Sequence, residues 1–316
     1  MLELHSQRIV VTGGAGFLGA AVVRRLVDRG VPRGRIGVPR RHDFDLTVEA
    51  NVERLYDTLA PDVVIHLAAE VGGIGANMRH PGRFFYANMA MGLHLIEHAR
   101  RRGIRKFVHT GTVCAYPKHA PVPFRESSLW DGYPEETNAP YGVAKKALFV
   151  MLDAYRSEYG LASAVTVPVN LYGPGDNFDP RSSHVIPALV RKCEEARLAA
   201  APSITCWGTG TATREFLHVD DAAEAIVRAA ERIEDPVPIN LGGGAEISIR
   251  ELVGKVARAC GFEGRIDWDP SKPDGQPRRA IDIGRARRLL DWEPGKDFDA
   301  GLAETVRWWR AQGAGA

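Results

Sequence analysis

Cysteine is scarce in this chain of 316 residues. Cys114, Cys193, Cys206 and Cys260 are the only four, and no CxxC or Cys/His ligand spacing joins them. A disulfide framework and a metal site are therefore not expected. An excess of one charge is also missing, since 41 Lys and Arg stand against 39 Asp and Glu, a net +2. No nucleic acid or anionic membrane surface is expected as a partner, so any bound anion must be held by local basic residues. Long apolar runs are absent too. The longest uncharged stretch, 159–175, contains Pro168, Asn170 and Pro174 and is no membrane span. No apolar signal segment precedes the first strand-like run, so a cytoplasmic protein is the expectation.

What is present is ordinary globular composition: 45% hydrophobic, 25% charged and 8% aromatic residues. The length suits one large or two intimate domains. Short β-branched runs at 7–12, 35–39, 62–67, 105–110 and 162–169 alternate with helical patterns at 17–29, 49–60, 83–102 and 140–159. Such alternation predicts an α/β fold of Rossmann type, a doubly wound parallel sheet with helices on both faces. After Tyr172 the pattern changes. A turn-rich loop (173–183) leads to short strands at 203–206 and 238–241, helices at 247–260, 284–290 and 300–309, and a loop at 270–277. We read 1–172, with returning segments, as a nucleotide-binding domain. Residues 173–316 then form mainly a smaller, interleaved substrate-binding domain.

Thr12-Gly13-Gly14-Ala15-Gly16-Phe17-Leu18-Gly19 follows the first strand and opens the first helix. Glycines there let the backbone approach a pyrophosphate, whose charge meets the helix N-terminus. The end of the second strand selects the dinucleotide. A carboxylate there would take the ribose hydroxyl of NAD, whereas this chain has Pro39-Arg40-Arg41-His42, which suits the 2′-phosphate of NADP(H). Asp43, next in sequence, keeps NAD(H) as the alternative. Asp45 and Leu46 would lie near the adenine, or Asp45 would cap a helix.

Tyr141 and Lys145 stand one turn apart on one predicted helix. An unperturbed phenol has a pKa of about 10, and a cation beside it favours the phenolate. Thr112 follows the strand at 105–110, where side chains emerge at the carboxyl edge of the sheet and ligands of such folds bind. Its hydroxyl could hold a carbonyl oxygen while Tyr141 passes the proton.

Taken together, the glycine loop, the YxxxK helix and the Thr112 strand resemble the extended short-chain dehydrogenase/reductase superfamily. Within it, the chain resembles the GDP-L-fucose synthase family, NADPH-dependent 3,5-epimerase–4-reductases of GDP-4-keto-6-deoxy-D-mannose. The matching stretches are HLAAEVGGIGAN (66–77), CAYPK (114–118), ETNAPYGVAK (136–145), NLYGPGDNF (170–178), SHVIPAL (183–189), WGTGTATREFLHVDD (207–221) and KPDGQPRR (272–279). The resemblance implies a reductase triad of Thr112, Tyr141 and Lys145, with Cys114 as epimerisation base and His184 as acid. It assigns Gly13, Gly14, Gly16, Phe17, Leu18, Gly19, Arg40, Arg41, Asp45, Leu46, Ala68, Ala69, Asn88, Lys145, Pro168, Asn170 and Leu171 to NADP(H). Asn170, His184, Lys192, Trp207, Arg214 and Arg279 would hold the nucleotide-diphosphate sugar. A homodimer pairing helices 83–102 and 138–159 is implied as well.

The residue types fit that chemistry. A 4-ketone acidifies the C–H bonds at C3 and C5, and inversion needs one group to remove a proton and another to return it to the opposite face. Thiol and imidazole have unperturbed pKa values of roughly 8.5 and 6.5, close enough to neutrality for both jobs. Bland roles also exist: Cys114 as a small apolar filler, His184 as a loop hydrogen-bonder, Trp207 as core, the Asp220-Asp221 pair as a helix start. One departure is visible, because the family's Gly-Ser-Ser-Cys reads Gly111-Thr112-Val113-Cys114 here. The hydroxyl of the first Ser survives in Thr112 and that of the second is lost. An epimerase or 4-ketoreductase for another nucleotide 4-keto sugar is one alternative, and a non-catalytic NADPH-sensing protein is another.

Overall fold

The computed structural model describes residues 1–272 and 274–313; Pro273, inside the predicted 270–277 loop, lies outside them. The first half alternates as predicted, with one short helix at Ile74–Arg79 that the sequence pattern did not suggest. It runs β1 (Ile9–Thr12), α1 (Phe17–Asp28), β2 (Ile36–Gly37), α2 (Glu49–Leu59), β3 (Val63–His66), α3 (Ile74–Arg79) and α4 (Pro81–Arg102). Then come β4 (Lys106–Thr110), α5 (Ala139–Tyr159) and β5 (Ser163–Pro168). Strands β1, β3, β4 and β5 are buried at every position, as a sheet covered on both faces demands. Strand β2 is shorter than the predicted 35–39, because Pro39 has no N–H for a further ladder bond.

The second half begins with β6 (Asn170–Tyr172), α6 (Val185–Leu198), β7 (Ser203–Trp207), β8 (Thr213–His218) and α7 (Val219–Arg232). It continues through β9 (Pro238–Leu241), β10 (Glu246–Ser248), α8 (Ile249–Cys260), β11 (Arg265–Asp269) and β12 (Arg278–Arg279). Helices α9 (Gly284–Leu290) and α10 (Phe298–Ala311) close it. One expectation is corrected here. The 247–260 helix starts at Ile249, because the Ser248 hydroxyl caps it by accepting the Glu251 N–H at 3.1 Å, leaving 246–248 as a strand. Strand β9 lies in the large sheet beside β5, a later segment returning to the first one.

The large sheet is parallel throughout, in the order β2-β1-β3-β4-β5-β9. It is a doubly wound sheet of Rossmann type, and its order reverses between β1 and β3. Ligands of such sheets bind outside the carboxyl ends at that reversal. One hydrophobic cluster joins the sheet to its covering helices, with Val11, Val64, Val108, Leu148 and Ile226 fully or almost fully buried. A second joins α6, α8 and α10 through Val190, Cys193, Val256, Cys260 and Val306. Between them, β8 pairs with β6, β10 and β12, and α7 carries the chain back onto the first cluster. Asp220 and Asp221 lie in the first turn of α7, where carboxylates favour the helix dipole. No described helix is long and apolar enough to cross a membrane.

Candidate active site

The carboxyl ends of β1, β3, β4 and β5 open onto a cleft whose far wall is α6, the end of β7, β8 and the 274–279 segment. Its volume is about 1540 Å³, larger than the ~300–1,000 Å³ of a site for one small ligand. A dinucleotide and a second nucleotide fit such a space together.

The glycine loop forms one end. Gly13 has φ +71°, and a Cβ at Gly19 would stand 2.0 Å from Gly13 O. Only bare backbone folds this tightly onto the start of α1. That helix has no side-chain cap and no acidic residue in its first turn, so its N–H groups remain available to an anion. Gly13, Gly16, Phe17, Leu18 and Gly19 line the cleft, as do Ala68, Ala69, Pro168, Asn170 and Leu171. Arg40 and Arg41 line it as well, while Asp43 does not; its carboxylate lies 3.3 Å from His42. The lining residues therefore fit a dinucleotide bearing an extra phosphate. Asp45 and Leu46 are on the wall, and Asp45 Oδ1 accepts the Thr47 N–H and hydroxyl at 3.0 and 2.7 Å, which holds its carboxyl below the usual range. Helix α2 begins behind Val48 without a side-chain cap, which removes the capping role for Asp45.

Two residues assigned to the cofactor sit elsewhere. Gly14 faces away from the cleft, toward Val11 O and the Val38 side chain. Asn88 is buried behind it: Oδ1 accepts the Glu70 N–H at 3.1 Å, and Nδ2 donates to Glu70 O and Phe84 O. Its amide holds the loop after β3, and no group is left over for a ligand there.

Thr112, Cys114, Tyr141, Lys145 and His184 all line the same cleft. Helix α5 delivers Tyr141 and Lys145 by lying directly on the turn that carries Thr112 and Cys114. Gly142 makes this approach possible, since a Cβ there would stand 2.2 Å from Cys114 O. Thr112 Oγ1 accepts the Cys114 N–H at 3.2 Å and so shapes that turn. Lys145 Nζ donates to Thr110 O, the last residue of β4, at 3.0 Å. Burial lowers the Lys145 ammonium to a pKa of about 7. The Tyr141 phenol is raised, first by burial and then by the neighbouring Cys114, against a downward pull from the Thr112 hydroxyl. The sequence led us to expect a phenol lowered by its lysine; burial raises it instead.

His184 precedes α6 and makes no side-chain cap. It is exposed to the open cleft, and desolvation by the atoms crowded around it lowers its pKa. Trp207 is 62% exposed on the far wall, with Lys272 Nζ 5.8 Å from its ring centre, so it is no core residue. Lys192 Nζ donates to Thr205 O at 2.6 Å at the rim. Arg214 is anchored on the carbonyls of Thr213, Gln276 and Asp274, and burial lowers it to about 10. Arg279 lines the cleft, its guanidinium donating to the Gln276 side chain and to Cys114 Sγ. Gln276 and Glu135 also line the cleft and were not singled out from the sequence. The only signal for Gln276 was its place inside the 272–279 stretch.

Residues 9–242 match the NAD dependent epimerase/dehydratase family. The chain belongs to that family. Among its relatives is the probable GDP-L-fucose synthase 1 of Oryza sativa subsp. japonica, 40% identical over 96% of this chain and 92% of the relative. Among solved structures, a GDP-6-OMe-4-keto-L-xylo-heptose reductase from C. jejuni superposes with a TM-score of 0.92 at 27% identity, covering 98% of this chain and 99% of that one. A GDP-L-fucose synthetase from Naegleria fowleri bound to NADP gives 0.88 at 27% identity, over 99% and 95%.

Proposed function

We propose that this protein converts GDP-4-keto-6-deoxy-D-mannose to GDP-L-fucose, by epimerisation at C3 and C5 and NADPH-dependent reduction at C4. The observation that carries the reading is one cleft lined by a thiol, an imidazole and a Tyr–Lys pair beside the glycine loop. The likeness to relatives named GDP-L-fucose synthase supports the choice of sugar. The glycine loop, Arg40 and Arg41 would hold the dinucleotide, which when bound supplies the hydride for C4. Lys192, Trp207 and Arg214 would hold the nucleotide sugar.

In this reading Cys114 removes a proton from C3 or C5, and the C–H electron pair moves onto the 4-ketone oxygen. His184 returns a proton to the opposite face; desolvation makes its imidazolium a stronger acid than a fully hydrated one. Thr112 holds the C4 oxygen, and Tyr141 gives it a proton during reduction. A phenol raised by burial stays protonated and ready for that task. Lys145, when charged, supports the phenolate left behind. The exposed apolar side chains Phe85, Tyr86 and Leu93 on α4 and Val150 on α5 support pairing of two copies, and a cytoplasmic homodimer belongs to the same proposal.

Purified protein given this substrate and NADPH should oxidise one cofactor per product of L-fuco configuration. No cofactor oxidation would refute the reading. The close superposition on a GDP-heptose reductase favours, as a second reading, reduction of another GDP-linked 4-keto sugar. Cofactor oxidation with a GDP-4-keto-heptose but not with the deoxymannose would select it.

A further inference from the structure

Cys114 has a dedicated partner in the cleft wall. Arg279, buried on β12, donates from Nη1 to Cys114 Sγ at 3.6 Å and from Nε and Nη2 to Gln276 Oε1 at 3.2 and 2.9 Å. Gln276 is buried too. Its Nε2 donates to Lys118 O at 3.0 Å, and its backbone carbonyl accepts Arg214 Nη1 at 2.6 Å. The Gln276 side chain thus straps Arg279 to the loop that follows Cys114.

The chemistry of the strut matters. A carboxylate is the usual anchor for a buried guanidinium, and it would cancel much of the charge. An amide orients the guanidinium and leaves its charge for the sulfur. The nearby Glu135 carboxylate senses Arg279, but its oxygens are occupied by Thr137 and Asn138. The other groups facing the sulfur are the Tyr141 phenol from α5 and the Arg214 guanidinium from β8, which is turned onto three carbonyls. His184 lines the cleft from the α6 side.

We propose that Arg279 is the counter-cation of Cys114 in its anionic, proton-accepting form, and that Gln276 is the neutral strut that aims it. Both are positioning residues, and their catalytic meaning rests on the epimerase–reductase reading. In its anionic form the sulfur takes the proton from C3 or C5 while the bonding pair moves to the ketone oxygen, and Arg279 faces the charge that the sulfur carries before that transfer.

Alkylation tests this without any substrate. Cys193, Cys206 and Cys260 are buried, so iodoacetamide labelling of the folded full-length chain, followed by mass, reads Cys114. The rate is measured against pH for the native chain, Arg279→Met, Arg279→Lys and Gln276→Glu. Removing an opposite charge at this range should raise the midpoint of the profile by about one pH unit or more in Arg279→Met. Gln276→Glu keeps the shape of the strut but quenches the cation, so it should shift the same way; it also serves if Arg279→Met does not fold. Arg279→Lys should largely restore the native midpoint. An unmoved midpoint in folded Arg279→Met overturns the counter-cation, and an unmoved midpoint in Gln276→Glu overturns the strut. Shifted midpoints in a protein that exchanges no sugar C–H would instead sink the epimerase reading and leave the Arg279–Cys114 pairing standing.

Discussion

In the proposed reaction Tyr141 gives a proton in the reductive direction, so the burial that would disable it as a base suits it as an acid. Cys114 is proposed to act on carbon, not on oxygen, and the two roles should separate by mutation. Tyr141→Phe should lower reduction by roughly 10²–10⁴-fold while solvent exchange at C3 and C5 survives. Cys114→Ser should do the reverse, depressing exchange with a smaller effect on reduction of an already inverted ketone. Equal loss of both activities in each variant would contradict the division of labour. Lys145 supplies a second test. With its pKa lowered to about 7 by burial, it is charged below that pH and loses its charge above it. Support for the Tyr141 phenolate is thus present on the acid side and lost as pH rises, so kcat/KM for reduction should fall above about pH 7. Lys145→Arg, which stays charged, should flatten that limb. Tyr141 and Lys145 were legible in the sequence because helical spacing puts them on one face and a glycine loop precedes them in the same βα array; the spacing alone occurs by chance in many helices. The Arg279–Cys114 contact was not, because it joins residues 165 positions apart and depends on a side chain that no local pattern orients.

At the level of elements, the seating of α5 on the turn after β4 governs the catalytic geometry. Gly142 permits backbone-to-backbone contact, and its opposing atom is a carbonyl oxygen that cannot swing aside. Gly142→Ala should therefore displace Tyr141 from Thr112 and Cys114. Overpacking of this kind costs ~1–3 kcal/mol, and a misplacement near 1 Å costs on the order of 10²-fold in rate. Denaturant unfolding and turnover measured together check both effects. Beneath this contact, His66 on β3 and His109 on β4 lie opposite one another, fully buried with ring centres 5.6 Å apart. Burial holds both well below the ordinary histidine range, with Lys145 adding to it. The folded chain keeps them neutral while the unfolded chain protonates below about pH 6.5. Their contribution is complete above that pH and is lost as pH falls, by up to ~1.4 kcal/mol per pH unit for each ring. Urea midpoints should drop on that side, and His109→Leu should make the drop shallower. The first half was readable because short β-branched runs, buried at every position, alternate with longer segments of helical spacing. The 246–248 strand was hidden because three residues are too few for a period-two signal and run straight into the helical spacing of Ile249, Leu252, Val253 and Val256, with only the Ser248 cap separating the two elements.

Across the whole molecule, the parallel sheet and its glycine loop present one wall of the cleft, and elements drawn from the second half present the other. The architecture of the first wall could be read from alternation, since each βα unit folds back on its neighbour. The second wall could not, because it depends on pairings far apart in sequence. Strand β7 pairs with β11, and β8 takes β6, β10 and β12 as partners. Strands β6, β10 and β12 carry too few residues for a period-two signal, and although β7 was readable at 203–206, its partner β11 is one that the local sequence does not name. The same distance explains why Lys192, Trp207 and Arg214 could be proposed from the sequence while their orientations could not. The central claim is that this single cleft both inverts and reduces one bound sugar. Turnover of GDP-4-keto-6-deoxy-D-mannose with NADPH in deuterium oxide tests it most directly. The account predicts GDP-L-fucose carrying solvent deuterium at C3 and C5, with one cofactor oxidised per product; a reduced sugar with protium at both carbons would contradict it.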